Sequence, residues 1–248
     1  MIRIVHLKKG FRSGPVLRDV NLSIDRGQAT IIIGRSGCGK SVLLKHIIGL
    51  LRPDAGDIYI DGHNITTFSK GELFQLRKRF GMLFQASALF DSMSVGENVG
   101  LGLREHTHLT EEEIAERVGQ RLKMVGMPGT EGMRISELSG GMRKRVGLAR
   151  ALAMDPEFIL FDEPTTGLDP IMADAINELI CELKSRLSVT IIVVTHDMVS
   201  AYKIGDRLAM LHEGEIIFTG TPEETRDTDN DVVRQFVAGS AEGPIRAL

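Results

Sequence analysis

The sequence has no tryptophan, two tyrosines and two cysteines, and only 5% of its 248 residues are aromatic. Cys38 and Cys181 are far apart, with no CxxC pair and no clustered histidines beside them. That excludes a disulfide framework and a thiolate zinc site and reads as reduced thiols in a cytosolic chain. A basic surplus is also lacking: 30 Lys and Arg stand against 33 Asp and Glu, a net charge of −3, so nucleic acid is not an expected partner. The local cluster Arg143, Lys144 and Arg145 reads as the solvated face of a helix. Long apolar runs are missing too. "TIIIG" and "TIIVVT" are far too short to span a bilayer, and "MIRIVHLKKG" lacks the apolar core of a signal peptide. Any membrane function must therefore be exercised through another chain.

What is present is an ordinary globular composition, 42% hydrophobic and 25% charged, enough for one large domain or two tightly associated parts. In "IRIV", "NLSI" and "GDIYI" apolar residues alternate with polar ones, placing Ile2, Ile4, Leu22, Ile24, Ile58 and Ile60 on shared faces of half-buried antiparallel strands. "ATIII", "FILF" and "VTIIVV" are instead continuous and branched, the pattern of parallel strands covered on both faces. From Ala86 to Leu152 the pattern is helical, with Thr110 and Glu113 forming a capping box in "LTEEEI". "LAMLHEGEIIF" reads as a hairpin about Glu213 and Gly214, and Thr221 caps a helix with Pro222 at its first position. The "RDTDND" run and the last ten residues read as loosely held.

"GRSGCGKS", Gly34 to Ser41, satisfies G-x-x-x-x-G-K-[ST] at every fixed position, directly after an apolar strand and before the helical run "VLLKHIIGLL". The four fixed residues would arise by chance in roughly one chain in a hundred of this length. Its glycines let successive N–H groups face a phosphate, Lys40 offers a mobile ammonium to the β/γ oxygens, and Ser41 a hydroxyl to Mg²⁺. "FILFDE" ends a buried strand in two carboxylates, which calls for a cation. Asp162 suits the metal, through water, and Glu163, pointing to the other face, suits the general base that polarises attacking water. Gln85 closes "GMLF" and His196 closes "VTIIVVT", the strand ends at which α/β sheets bind ligands. Gln85 is placed to bind Mg²⁺ or orient water, and His196 to sense the γ-phosphate. His106 and His108, two apart in a polar loop, have no further ligand nearby and read as structural. Phe11 is either core or a flat platform for an adenine ring.

"LSGGMRKRVGLARAL" starts a second helix at a serine and two glycines, again suited to an anion. Two such helix starts in one chain need an explanation. The order "GRSGCGKS", "LFQ", "LSGGM", "FILFDEP", "TGLDP" and "VVTH" resembles the ATP-binding subunit of ABC transporters over nearly the whole chain. The resemblance implies an α/β P-loop NTPase of ABC type, with a mostly parallel core sheet, an antiparallel β subdomain and a helical subdomain. It implies a core of 1–85 and 156–225, a helical part at 86–155, and an extension at 226–248. Two such ATPases pack head to tail as a homodimer in that family, and the signature helix of one completes the phosphate site of the other. By resemblance Gly34, Arg35, Ser36, Gly37, Cys38, Gly39, Lys40, Ser41 and Val42 bind ATP, with Phe11 against adenine and Ser139, Gly140, Gly141 and Asp169 reaching across the dimer. Ser41, Gln85 and Asp162 then serve Mg²⁺, while Glu163, His196 and Gln85 serve hydrolysis.

Met142 stands where the family most often has glutamine, and Phe11 where tyrosine is commoner. "LSGGM" followed by "RKRVGLARAL", "LREHTHL" and the ending "VRQFVAGSAEGP" resemble the ATPases of Mla-type systems, which move phospholipids between the inner and outer membranes of bacteria. That narrower resemblance implies a permease, an MCE-domain protein and a small STAS-domain regulator as partners, and a peripheral place on the cytoplasmic face of the inner membrane. Within "ASALFDSM", Leu89, Phe90 and Met93 are expected to form the permease socket or to fill the helical part's own core. Val232, Val233, Phe236 and Val237 form an apolar helical stripe that packs on its own domain or on a second protomer. The catalytic residues equally suit an ABC-type ATPase that drives assembly or signalling, or one that transports another substrate. A nucleotide-binding module without turnover is disfavoured by the presence of both Glu163 and His196, and a GTPase by the lack of an N-K-x-D segment.

Overall fold

A computed structural model describes residues 1–246. The chain forms two compact units, Met1–Phe74 with Ile192–Leu248, and Gln75–Ile191.

In the first unit, strand β1 (Ile2–Phe11) pairs antiparallel with β2 (Gly14–Ile24) on one side and β4 (Ala55–Ile60) on the other. Ile2 lies opposite Ile24 and Ile60, and Ile4 opposite Leu22 and Ile58. All six alternating side chains are buried as the period-two pattern demands, each contributing about 1.5–3 kcal/mol relative to exposure. The short β5 (His63–Asn64) extends β4, and β3 (Ala29–Ile33), buried throughout, lies parallel to β9 (Arg207–His212). β9 turns back antiparallel into β10 (Glu215–Gly220), with Glu213 and Gly214 both left-handed at the hairpin tip. The strand order is β5-β4-β1-β2-β10-β9-β3-β8, where β8 (Thr190–Thr195) enters from the second unit. Helices α1 (Lys40–Ile47), α7 (Met198–Ile204), α8 (Pro222–Arg226) and α9 (Asp231–Ala238) complete the unit. Helix α2 (Lys70–Arg77) leads into the second unit.

There, β6 (Phe80–Leu83) runs parallel to β7 (Phe158–Asp162), and the Phe80 and Phe158 rings stack at 4.7 Å. Helices α3 (Val95–His106), α4 (Glu111–Met124), α5 (Gly140–Leu152) and α6 (Pro170–Arg186) follow the same chain order as the expected helical stretch and beyond. Capping boxes at Ser94–Glu97 and Thr110–Glu113 start α3 and α4, each cap supplying about 1 kcal/mol. His106, read as a loop residue, is the last residue of α3.

Two expectations need correction. The "RDTDND" run is ordered: Asp227 closes α8, and the Asn230 side chain accepts from the Val232 and Val233 N–H groups to cap α9. Of the last ten residues, the described ones are also held. The Gln235 Nε2 donates to the carbonyls of Ser240 (3.2 Å) and Ile245 (2.9 Å). Residues 247 and 248 lie outside the described residues.

Candidate nucleotide site

The first unit carries the phosphate loop. β3 delivers the chain into Gly34, Gly37 and Gly39, whose φ angles are +155°, +80° and +106°. A Cβ on Gly34 would collide with the Leu211 carbonyl, and one on Gly39 would sit 2.9 Å from the Leu17 Cδ2. Only glycine therefore allows this backbone path. No side chain caps the start of α1 and no acidic residue occupies its first turn, the setting in which a helix start receives an external anion. The Lys40 Nζ donates to the carbonyls of Gly34 (2.8 Å) and Arg35 (3.1 Å), which holds the ammonium over the loop.

Phe11 ends β1 and is 45% exposed, so the core alternative is excluded for it. The Lys9 ammonium lies 5.7 Å from its ring centroid. His196 is exposed immediately after β8. It shares with Arg35 and Ser36 the wall of a cavity of about 510 Å³. Gln235, Phe236, Gly239 and Ile245 of the tail line the same cavity. The Arg35 Nη1 donates to the Arg246 carbonyl at 3.0 Å. The tail thus packs on the unit from which it emerges.

The second unit carries the carboxylates and the signature. Asp162 and Glu163, at the end of β7, are 7% and 8% exposed. Glu163 has φ +50°, a left-handed conformation for a residue with a side chain, costing on the order of 1 kcal/mol or more unless neighbours hold it. The Thr166 hydroxyl donates to its Oε2 at 3.3 Å. Ser139 is the N-cap of α5, accepting from the Met142 N–H at 3.3 Å, and no acidic residue occupies the first turn. A Cβ on Gly141 would strike the Met172 Cε. Asp169 caps α6, accepting at 3.0 Å from the N–H groups of Ile171 and Met172, with Pro170 at the first position. Gln85, just beyond β6, is exposed.

The basic cluster is not a solvated face. Arg143 is exposed, but Lys144 is 5% exposed and Arg145 is half-buried, donating to the Val125 carbonyl at 2.8 Å. The helix turns Lys144 inward, where its Nζ donates to the carbonyls of Gln85 (2.5 Å) and Glu163 (3.3 Å). Burial pushes its pKa below the ordinary lysine value, opposed by the charges of Asp162 and Glu163. Two turns on, Arg150 donates from Nη1 to the Ala88 carbonyl and from Nη2 to the Ser87 carbonyl, both at 2.7 Å. Ser87 and Ala88 also have left-handed backbones. The sequence did hold a signal: Lys144, Gly147 and Arg150 recur every three residues along one stripe of α5.

Oxygen donors from a hydroxyl, an amide and carboxylates are the hard ligands that Mg²⁺ accepts. Among the described residues no group of three or more His, Cys, Asp or Glu could hold a metal ion.

A family model described as ABC transporter matches residues 17–166. A probable ribonucleotide transport ATP-binding protein, mkl, of Mycobacterium leprae (strain TN) is 44% identical over 98% of this chain and 70% of its own length. The intermembrane phospholipid transport system ATP-binding protein MlaF of Haemophilus influenzae is 42% identical over 99% of this chain and 92% of its own, and that of Escherichia coli K12 is 41% identical over 98% and 90%. Among solved structures, the dimeric ATP-binding cassette MJ0796 in a post-hydrolysis state with ADP and Pi superposes with TM-score 0.82 at 33% identity, covering 90% of this chain and 99% of the other. With the glycine-built phosphate loop, the paired carboxylates and the Ser139-capped helix in place, the chain belongs to the ABC transporter family, as an ATP-hydrolysing ATP-binding subunit.

Proposed function

We propose that this ATPase drives an Mla-type transporter that moves phospholipids between the inner and outer membranes of a bacterium. The reading starts from likeness to the MlaF proteins, 41–42% identical over 98–99% of this chain, beside which the mycobacterial relative stands at 44%. Identities of 41–44% do not separate the two by themselves. The segments "LREHTHL" and "VRQFVAGSAEGP" favour the same choice.

In this reading the loop N–H groups from Gly34 to Ser41 and the Lys40 ammonium bind the phosphates of ATP, and Phe11 stacks on the adenine. Ser41, Gln85 and Asp162 hold Mg²⁺, which when bound neutralises phosphate charge. Glu163 takes the proton of the attacking water, and His196 hydrogen-bonds the γ-phosphate. Ser139, Gly140, Gly141 and Asp169 act on the ATP of a second copy in a head-to-tail homodimer; the MJ0796 cassette is dimeric. Functionally the chain then divides into a core of 1–85 and 156–225, a helical part at 86–155 and an extension at 226–248.

No helix among the described residues is long and apolar enough to cross a membrane. The partners in this reading are an integral permease, an MCE-domain protein and a small STAS-domain regulator, with the chain peripheral on the cytoplasmic face. A groove of about 650 Å³ in the second unit, lined by Phe84, Phe90, Leu101 and Met154 among others, offers the permease a socket. Phe90 is 50% exposed there. Purification of the tagged protein from its own membrane in mild detergent, with identification of partners and bound lipids, tests the reading. Co-purifying MCE protein and phospholipid support it. A nucleotide-binding permease partner without lipid would favour a ribonucleotide carrier, and no membrane partner at all would favour an assembly or signalling ATPase.

A further inference from the structure

Helix α5 grips the segment after β6 at three successive positions. Lys144 donates to the Gln85 carbonyl, Arg150 donates to the carbonyls of Ser87 and Ala88, and Gly147 between them lets the segment approach. A Cβ at Gly147 would lie 2.7 Å from the Leu83 Cδ1 and 3.3 Å from the Ser87 Cβ. Lys144 makes one contact that Arg150 does not, to the carbonyl of Glu163. That carbonyl belongs to a residue in a left-handed backbone conformation, which an L-residue keeps only where its surroundings hold it. A lysine is almost never buried without a compensating role. Here one ammonium, with three protons to donate, joins the two segments that carry the water-orienting amide and the general base.

We propose that Lys144 is a positioning residue for hydrolysis, tying the backbones of Gln85 and Glu163 to the signature helix so that amide and base keep a fixed relation when α5 shifts. The proposal rests on the roles given above to Gln85 and Glu163. Both contacts are to main-chain carbonyls, not to the side chains of Gln85 and Glu163. Because the ammonium is held by α5, whose first residue follows Ser139, a displacement of the signature reaches the backbone of the base through this side chain.

The test compares Lys144→Met, Lys144→Gln and Lys144→Arg in the full chain, reading kcat, KM, ATP affinity, melting temperature and the Mg²⁺ concentration for half-maximal turnover. The methionine variant keeps the length and loses every donor. Its kcat should fall by about 10- to 100-fold while ATP affinity stays within about threefold. Its Mg²⁺ requirement should rise, and glutamine or arginine, which keep donors, should recover part of kcat. A merely structural lysine would instead give a kcat within twofold of the native value, or equal losses of kcat and ATP affinity in all three variants in step with melting temperature, either of which overturns the proposal. If the methionine variant does not fold, the glutamine and arginine variants decide by the same criteria. Glu163→Gln, run in parallel, reports on the base itself: full activity there would remove the underlying reading whatever Lys144 does.

Discussion

Gln235 clasps Ile245 through both ends of one amide, its Oε1 accepting from the Ile245 N–H at 2.6 Å and its Nε2 donating to the Ile245 carbonyl at 2.9 Å. With Arg35 bonded to the Arg246 carbonyl, the tail is fastened beside the phosphate loop of its own protomer. Deletion of residues 239–248 should therefore leave ATP-driven dimerisation within about threefold of the full chain, read by sedimentation. A loss beyond tenfold would mean that the tail crosses to the second copy.

Glu163→Gln should lower turnover by about 10²- to 10⁴-fold and spare the phosphate contacts, because it removes only the base. With Mg-ATP the variant should accumulate as a dimer. Sedimentation showing monomers alone would count against two ATP sites shared between copies.

Ser139→Arg should abolish hydrolysis without unfolding the chain. The cap to Met142 is lost, a change of about 1 kcal/mol, and a bulky cation takes the anion position at the start of α5. Mixed with Lys40→Ala, it should regain activity through the one composite site that remains intact. Inactive mixed dimers, with nucleotide bound, would argue that the signature acts in its own protomer.

Phe90→Asp should leave folding and ATP binding nearly unchanged, since half the ring already meets solvent, yet prevent recovery of the membrane partner. The backbone there is held independently of the ring, by Asn98, whose Oδ1 accepts from the Phe90 N–H at 2.8 Å and whose Nδ2 donates to its carbonyl at 3.1 Å. A marked fall in melting temperature would assign Phe90 to the core instead.

Local rules carried much of this protein. The alternation in "IRIV" and "NLSI" specified antiparallel partners because a strand exposes alternate residues to one face, and Ile2 does lie opposite Ile24. Thr110 and Thr221 were legible as caps because a capping bond spans only three residues, and each makes that bond. The phosphate loop was legible for the same reason: its glycines and Lys40 bond within a single turn of chain. What the tertiary structure alone decided depends on contacts between segments remote in sequence. Periodicity tells that a helix has two faces, but not which carbonyls lie beneath one of them. A run of three cations on α5 therefore read as solvent-facing, until the fold set Gln85 and Glu163 beneath Lys144 and made a buried charge tolerable. The tail was misread likewise, because a polar, glycine-containing ending has no core of its own. Gln235 on α9, satisfying the backbone of Ser240 and Ile245, and Arg35, donating to the Arg246 carbonyl, give it a place.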